Sequence, residues 1–326
     1  MKPTIFVTRK LPTAAMDFLK EHFRVMCNPH NRVLSREELL DGVSDKAGIL
    51  SLLTDTMDGE VMDRAGKGLR MIANYAVGFN NIDVAAATKR KIAVSNTPEV
   101  LTDTTADLAM TLVLAVARRI VEGDRYARAG KYEGWDPLLL LGADVHHKTL
   151  GILGFGRVGQ AVGRRARGFD MRITYHSRHR AEPEIERESG ADFVDLDTLM
   201  RESDFLSIHV PLTSQTKGMI NAERLSLMKP TAFIINTARG EVVREEALVE
   251  ALNEKRIAGA GLDVFEREPK IHPELQRMDN VVLLPHIGSA SMETRTEMGL
   301  MAARNLIAMF NGEVPPNCLN PEIFDR

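Results

Sequence analysis

Short apolar runs separated by longer stretches of helical character recur through the first hundred residues of the chain. Ile5-Phe6-Val7, Gly48-Ile49-Leu50-Ser51-Leu52-Leu53, Leu69-Arg70-Met71-Ile72-Ala73 and Ile92-Ala93-Val94 each read as a buried strand. Such alternation predicts a parallel sheet covered by helices. The pattern restarts in mid-chain with Leu150-Gly151-Ile152-Leu153, Arg172-Ile173-Thr174-Tyr175, Phe205-Leu206-Ser207-Ile208, Ala232-Phe233-Ile234-Ile235, Gly259-Ala260-Gly261-Leu262 and Val281-Val282-Leu283-Leu284. A second doubly wound, parallel-sheet α/β domain follows from it.

Between the two series, Thr102-Asp103 caps an apolar helix over 108–117, closed by Arg118-Arg119 and Gly123. Acid at the start and base at the end suit the helix dipole. Its apolar core is shorter than the roughly 18–20 residues that cross a bilayer, so it reads as a buried connector between domains. A last helix over about 292–310 stops at Gly312, with Pro315-Pro316 beyond. The second domain is complete before that helix, so the tail is expected to return to the first. The predicted boundaries are 1–100 and 288–326 for the discontinuous first domain and 101–287 for the one inserted in it.

The apolar run at 150–153 drives into Gly154-Phe155-Gly156-Arg157-Val158-Gly159. This is G-x-G-x-x-G after a strand and before a helix, the dinucleotide-binding fingerprint of a Rossmann domain. Gly154 permits the tight turn, Gly156 lets backbone N–H groups approach a pyrophosphate, and Gly159 lets helix pack on strand. The helix N-terminus then faces the phosphates with its partial positive charge.

An NAD site places an acidic residue about 20 residues further on, where it holds ribose hydroxyls. Here the second strand ends in Ser177-Arg178-His179-Arg180. No carboxylate stands there to repel a 2′-phosphate, and two guanidinium groups stand ready to bind one. Charge-assisted bonds contribute about 1.5–3 kcal/mol each, so a preference for NADP(H) over NAD(H) on the order of tenfold is expected, with NAD(H) as a possible second cofactor.

Composition narrows the class. The 326 residues suit two domains, and 44% hydrophobic residues can fill both cores. Net charge is −3 with both signs mixed, which proposes neither a nucleic-acid nor a membrane partner. Two cysteines, Cys27 and Cys318, offer no metal spacing or disulfide framework; with an N-terminus that reads as a strand rather than a signal peptide, they predict a cytoplasmic protein. His146-His147 reads as a polar turn, not a metal site.

Three strand ends in the second half carry residues suited to hydride transfer: Arg239 in Asn236-Thr237-Ala238-Arg239-Gly240, Glu268 in Asp263-Val264-Phe265-Glu266-Arg267-Glu268-Pro269, and His286 in Pro285-His286-Ile287-Gly288. Ligands of open α/β sheets bind at the carboxyl ends of strands. Reduction of a 2-oxo acid needs a cation for the carboxylate and an acid for the oxygen, which Arg239 and His286 supply. A carboxylate such as Glu268 beside the imidazole favours its charged form.

Together these segments closely resemble the D-isomer-specific 2-hydroxyacid dehydrogenase family over nearly the whole chain, and within it the glyoxylate/hydroxypyruvate reductases. The resemblance implies a flavodoxin-like substrate domain interrupted by the dinucleotide domain, and a catalytic triad of Arg239, Glu268 and His286. It implies that Thr237, Ala238 and Asp263 contact the cofactor. It implies further that Ala76, Val77 and Gly78, in Asn74-Tyr75-Ala76-Val77-Gly78, bind substrate through backbone N–H groups, and that Leu53 forms one wall, unless Leu53 belongs to the core. Phosphite-oxidising members carry a Lys where this chain has Val77. A dinucleotide-sensing corepressor-like protein remains an alternative, separable by turnover, and so does a D-lactate or 3-phosphoglycerate dehydrogenase, against which the missing acid at Ser177 counts.

Gly130-Lys131-Tyr132-Glu133-Gly134-Trp135-Asp136-Pro137 holds the single Trp, just before Leu138-Leu139-Leu140-Leu141. So much apolar surface in a loop predicts cover by a second copy in a homodimer, against the alternative of a loop folded on its own core. In the reductases that this segment resembles, the matching Trp reaches the partner's substrate site.

Overall fold

The computed structural model describes residues 2–325. The chain forms two compact units: one runs through Leu101 and resumes at Ser289, and the other spans Thr102–Gly288. The first holds strands β1 (Thr4–Val7), β2 (Arg24–Cys27), β3 (Gly48–Ser51), β4 (Met71–Asn74) and β5 (Ala93–Ser95). They lie parallel in the order β2-β1-β3-β4-β5, the flavodoxin-like arrangement. The helix Met292–Asn311 packs on the helix Thr13–His22 and on β4, so the tail completes this unit. Gly312 ends it in the left-handed region at φ 86°, where only glycine is unstrained.

The second unit holds β6 (Thr149–Leu153), β7 (Arg172–His176), β8 (Ala191–Phe193), β9 (Phe205–Ile208), β10 (Phe233–Asn236), β11 (Gly259–Leu262) and β12 (Val281–Leu283). They are parallel in the order β12-β11-β10-β9-β6-β7-β8. Strand order reverses between β6 and β9, which makes that crevice the topological switch point. The central strands are buried along their length, as parallel strands covered on both faces must be.

The apolar helix extends over Thr102–Ala117; it is the first element of the second unit after the chain leaves the first, and it is buried in that unit's core. Leu112, Val113 and Val116 are buried in the same cluster as Leu150, Ile152 and Ile235. No helix among the described residues is long and apolar enough to cross a membrane. Two strands escape the apolar pattern: β2, Arg-Val-Met-Cys, and β8, Ala-Asp-Phe, are edge strands that leave residues exposed, so neither presents a continuous hydrophobic run.

Candidate active site and dinucleotide cradle

The glycine loop leaves β6 at the switch point. Gly154 has φ 96°, and a Cβ there would lie 2.7 Å from the carbonyl carbon of His209. A Cβ on Gly159 would lie 2.2 Å from the Gly154 oxygen, so helix and loop touch through backbone alone. At Gly156, by contrast, a Cβ would meet nothing within 4 Å. The ten-residue helix Arg157–Ala166 starts there without a side-chain cap, leaving its first N–H groups open to an anion. Phe155 is buried and its ring stacks on Tyr175 at 4.1 Å, so it faces the core. Val158 packs against the same core, while Arg157 is exposed.

At the end of β7, Ser177 donates its hydroxyl to the His179 carbonyl. Arg178 and His179 are exposed. Arg180, however, forks onto Glu186, Nε to Oε1 and Nη2 to Oε2, both at 2.9 Å. The sequence pattern gave no sign of this pairing, because Glu186 lies in the following helix, Pro183–Ser189. Glu186 also accepts the Tyr175 hydroxyl at 2.6 Å, and burial together with that carboxylate pushes the Tyr175 phenol up to about 12.

β10 delivers the Arg239 loop. The Asn236 side chain bridges it, with Oδ1 accepting from Ala238 N–H and Nδ2 donating to the Arg239 carbonyl, both at 3.0 Å. Thr237 is buried, and its Oγ1 has no partner within the protein. A buried hydroxyl left in that state is available to a water or a ligand, which is compatible with the cofactor contact expected of it. Arg239 donates to the Ala238 carbonyl at 2.6 Å. Burial draws its guanidinium down, opposed by Glu268 and Glu241; at such a high starting value it remains a cation.

β11 and β12 supply the other two groups. His286 Nδ1 lies 2.9 Å from Glu268 Oε2, and both side chains keep somewhat over a quarter of their surface exposed. Glu268 Oε1 accepts from Phe265 N–H at 3.1 Å. Burial opposes ionisation of Glu268, but His286, the Phe265 N–H and Arg239 together hold its carboxyl below the usual range. His286 sits in the left-handed region at φ 56°, a strained place for a residue with a side chain.

Asp263 maintains that strained turn. Its carbonyl accepts from His286 N–H at 3.0 Å, and its carboxylate oxygens accept from Ile287 and Gly288 N–H at 2.7 Å each. It is 1% exposed, and burial pushes its carboxyl up against those two bonds. Its oxygens thus serve the turn first, and a cofactor contact would share them. His209 is a site residue that the sequence pattern did not reveal. Its Nε2 lies 2.8 Å from Ser207 Oγ, and burial pulls the ring down to about 4, which keeps it neutral at physiological pH. Only the pairing of β9 with β6 brings its backbone against Gly154.

In the first unit, Ala76, Val77 and Gly78 follow β4. Their carbonyls accept from Thr97 N–H, Asn96 Nδ2 and Asn74 Nδ2 at 2.9, 2.7 and 2.9 Å. Leu53 lies beyond the end of β3 and is 40% exposed, so it is not core. Trp135 is 83% exposed, and Tyr132, Leu138 and Leu141 are exposed beside it in sequence; the loop does not fold onto the chain's own core.

The D-isomer specific 2-hydroxyacid dehydrogenase NAD binding domain family matches residues 110–288, more than half of the chain. A glyoxylate reductase of Thermococcus onnurineus is 53% identical over 100% of this chain and 98% of its own length. Among solved structures, a Thermus thermophilus protein superposes with a TM-score of 0.90 at 45% identity, covering 97% of this chain and 99% of that one. The NADPH-dependent glyoxylate/hydroxypyruvate reductase of Sinorhizobium meliloti, solved with NADP and malonate, gives 0.87 at 34% identity over 100% of this chain and 99% of that one. With its glycine cradle, its orphan Thr237 hydroxyl and its Glu268–His286 pair at adjacent strand ends, the chain belongs to the D-isomer-specific 2-hydroxyacid dehydrogenase family.

Proposed function

We propose that the protein reduces glyoxylate to glycolate, accepts hydroxypyruvate as a second substrate, and draws on NADPH in preference to NADH. The observation that carries this reading is the 2.9 Å contact of His286 with Glu268 on the strand ends next to the Arg239 loop. The relatives named for glyoxylate reduction supply the substrate, and the Ser177-Arg178-His179-Arg180 tip supplies the cofactor preference.

The residues present fit a dinucleotide: an open Gly156, an uncapped helix N-terminus and the unpartnered Thr237 hydroxyl. When bound, the reduced nicotinamide supplies the hydride. Arg239 pairs with the substrate carboxylate and orients the 2-oxo group. Because His286 Nδ1 is committed to Glu268, Nε2 is the nitrogen that gives the proton to the substrate oxygen. Glu268, ionised at neutral pH, stabilises the charged ring before the transfer. Within the first unit, the backbone N–H groups of Val77 and Gly78 are donors of the kind a carboxylate takes.

A second copy of the chain covers the exposed segment around Trp135 in a homodimer. A groove of about 600 Å³ shares Leu141 with this segment and is lined by apolar Val116, Phe233 and Met278 together with charged Arg119, Glu122 and Lys255. The test of the substrate reading is a kcat/KM panel of small 2-oxo acids, each with NADPH and NADH. Glyoxylate with NADPH is expected to lead; no turnover with any 2-oxo acid would leave a binding protein instead.

A further inference from the structure

We infer that Glu245 is a positioning residue: with Glu266 it forms a reciprocal clasp, carboxylate to backbone, that holds the segment presenting Glu268 to His286. The inference rests on the acid–base reading of that pair. Glu245 opens the helix Glu245–Asn253 and is only 7% exposed, a costly place for a carboxylate unless it is hydrogen-bonded. Its Oε1 accepts from Glu266 N–H at 2.7 Å, and Glu266 Oε2 accepts in return from Glu245 N–H at 3.0 Å. Arg244 Nη1 reaches Glu266 Oε1 at 3.3 Å.

The clasp joins two chain segments that carry the chemistry. One descends from Arg239 through the turn Gly240–Val242 to the helix; the other runs from Asp263 to Glu268. They meet backbone to backbone, since a Cβ on Gly240 would lie 1.8 Å from the Phe265 carbonyl carbon. The Phe265 N–H, one peptide before the clasped Glu266 N–H, is the group that fixes Glu268 Oε1. Movement at Glu266 therefore passes to Phe265, then to Glu268, then to His286 Nδ1. An acidic residue in the first turn of a helix ordinarily favours the dipole from an exposed position. Glu245 is buried instead, and its bond goes to another segment. Arg267 and His272 face Glu245 electrostatically, while Arg239 and Asp263 face the Glu268–His286 pair.

The test compares Glu245→Ala and Glu245→Gln, alone and with Glu268→Gln, by three readouts: kcat/KM for glyoxylate with NADPH across pH, thermal midpoint, and amide exchange of the 264–268 segment. Glu245→Ala is expected to lower kcat about tenfold, on the order of one lost hydrogen bond to a charged group, with KM little changed. The alkaline limb of its profile should move to lower pH, and the 264–268 amides should exchange faster. Glu245→Gln keeps a carbonyl acceptor and should restore most of each. In the Glu268→Gln background the added Glu245→Ala change should cost less than about twofold, because coupled residues are not additive. An equal kcat loss in both backgrounds, or a change in thermal midpoint alone, overturns the inference. If Glu268→Gln itself leaves rate and profile unchanged, the acid–base reading falls and the positioning role with it; unaltered exchange in Glu245→Ala overturns the clasp alone. Should Glu245→Ala fail to fold, Glu245→Asp, shorter by one methylene, breaks the same bond while keeping the charge.

Discussion

The Arg180 guanidinium grips the Glu186 carboxylate through two bonds of 2.9 Å, at the strand end where a 2′-phosphate is expected to sit. Arg180 keeps 67% of its side-chain surface exposed while Glu186 keeps 13%, so the guanidinium end of the pair stays open to solvent and is screened by salt. A dianionic phosphate can take Arg180 from it. Glu186→Gln should therefore raise the NADPH-to-NADH ratio of kcat/KM, and Ser177→Asp should lower it on the order of tenfold by repelling the phosphate and accepting ribose hydroxyls. Steady-state kinetics with both cofactors checks this. A wild-type enzyme that prefers NADH would refute the reading of the tip.

The glycines separate folding from binding. Gly154→Ala places a methyl 2.7 Å from the His209 carbonyl carbon and at φ 96°, so it should lower the thermal midpoint as well as cofactor affinity. Gly156→Ala puts its methyl into open space. Its midpoint should stay near wild type while the Kd for NADPH rises, because the methyl fills the approach to the helix N-terminus. Calorimetric melting and titration of each variant measure the two effects. A destabilised Gly156→Ala protein with normal affinity would reverse the assignment.

Much of this architecture is legible in the sequence, and the losses have physical reasons. Central strands such as Phe205–Ile208 are continuous apolar runs because parallel sheets bury both faces. The edge strands β2 and β8 are not, and they go unread. Glycine motif, Arg239, Glu268 and His286 stand out as residue types at strand ends. What holds them does not, because it depends on contacts far apart in sequence. Asp263 reaches His286 across β11 and β12, His209 meets Gly154 through the pairing of β9 with β6, and Glu245 at a helix start meets Glu266 in a loop. The run Leu138-Leu139-Leu140-Leu141 is apolar by composition yet reads as a loop from the turn formers before it, and it is a loop, with Leu138 and Leu141 exposed.

The Glu268–His286 contact makes activity and stability depend on pH in separable ways. His286→Ala should lower kcat by about 10²–10⁴. Glu268→Gln removes the charge opposite the ring, and the alkaline limb of kcat/KM should move to lower pH, so activity is lost first at high pH. For stability the sign runs toward acid. The Glu268 carboxyl is held below its ordinary value of 4.5 in the folded protein, so its contribution is fully present above that value and disappears as pH falls through the lowered one. Wild type should thus lose more stability on acidification below about pH 4.5 than Glu268→Gln does. Denaturant unfolding at pH 7 and in the acid range measures the difference; parallel acid losses would detach Glu268 from His286.

Trp135 stands 83% exposed, between Tyr132 at 62% and Leu138 at 76%. Side chains of this size are the anchors of protein interfaces rather than ordinary monomer surface. In the proposed homodimer a second copy over the segment would remove them from water, and a partner's Trp135 at the substrate site would narrow the space for larger acids. Trp135→Ala should then leave the Kd for NADPH nearly unchanged while reducing the preference for glyoxylate or hydroxypyruvate over bulkier 2-oxo acids. Loss of the anchor should also weaken association in the proposed homodimer, so the variant should sediment as a lighter species than wild type at the same concentration. Analytical ultracentrifugation beside the substrate panel distinguishes the outcomes. Relaxed selectivity with an intact dimer assigns Trp135 to the pocket, and a fully active wild-type monomer at assay concentration eliminates the shared site.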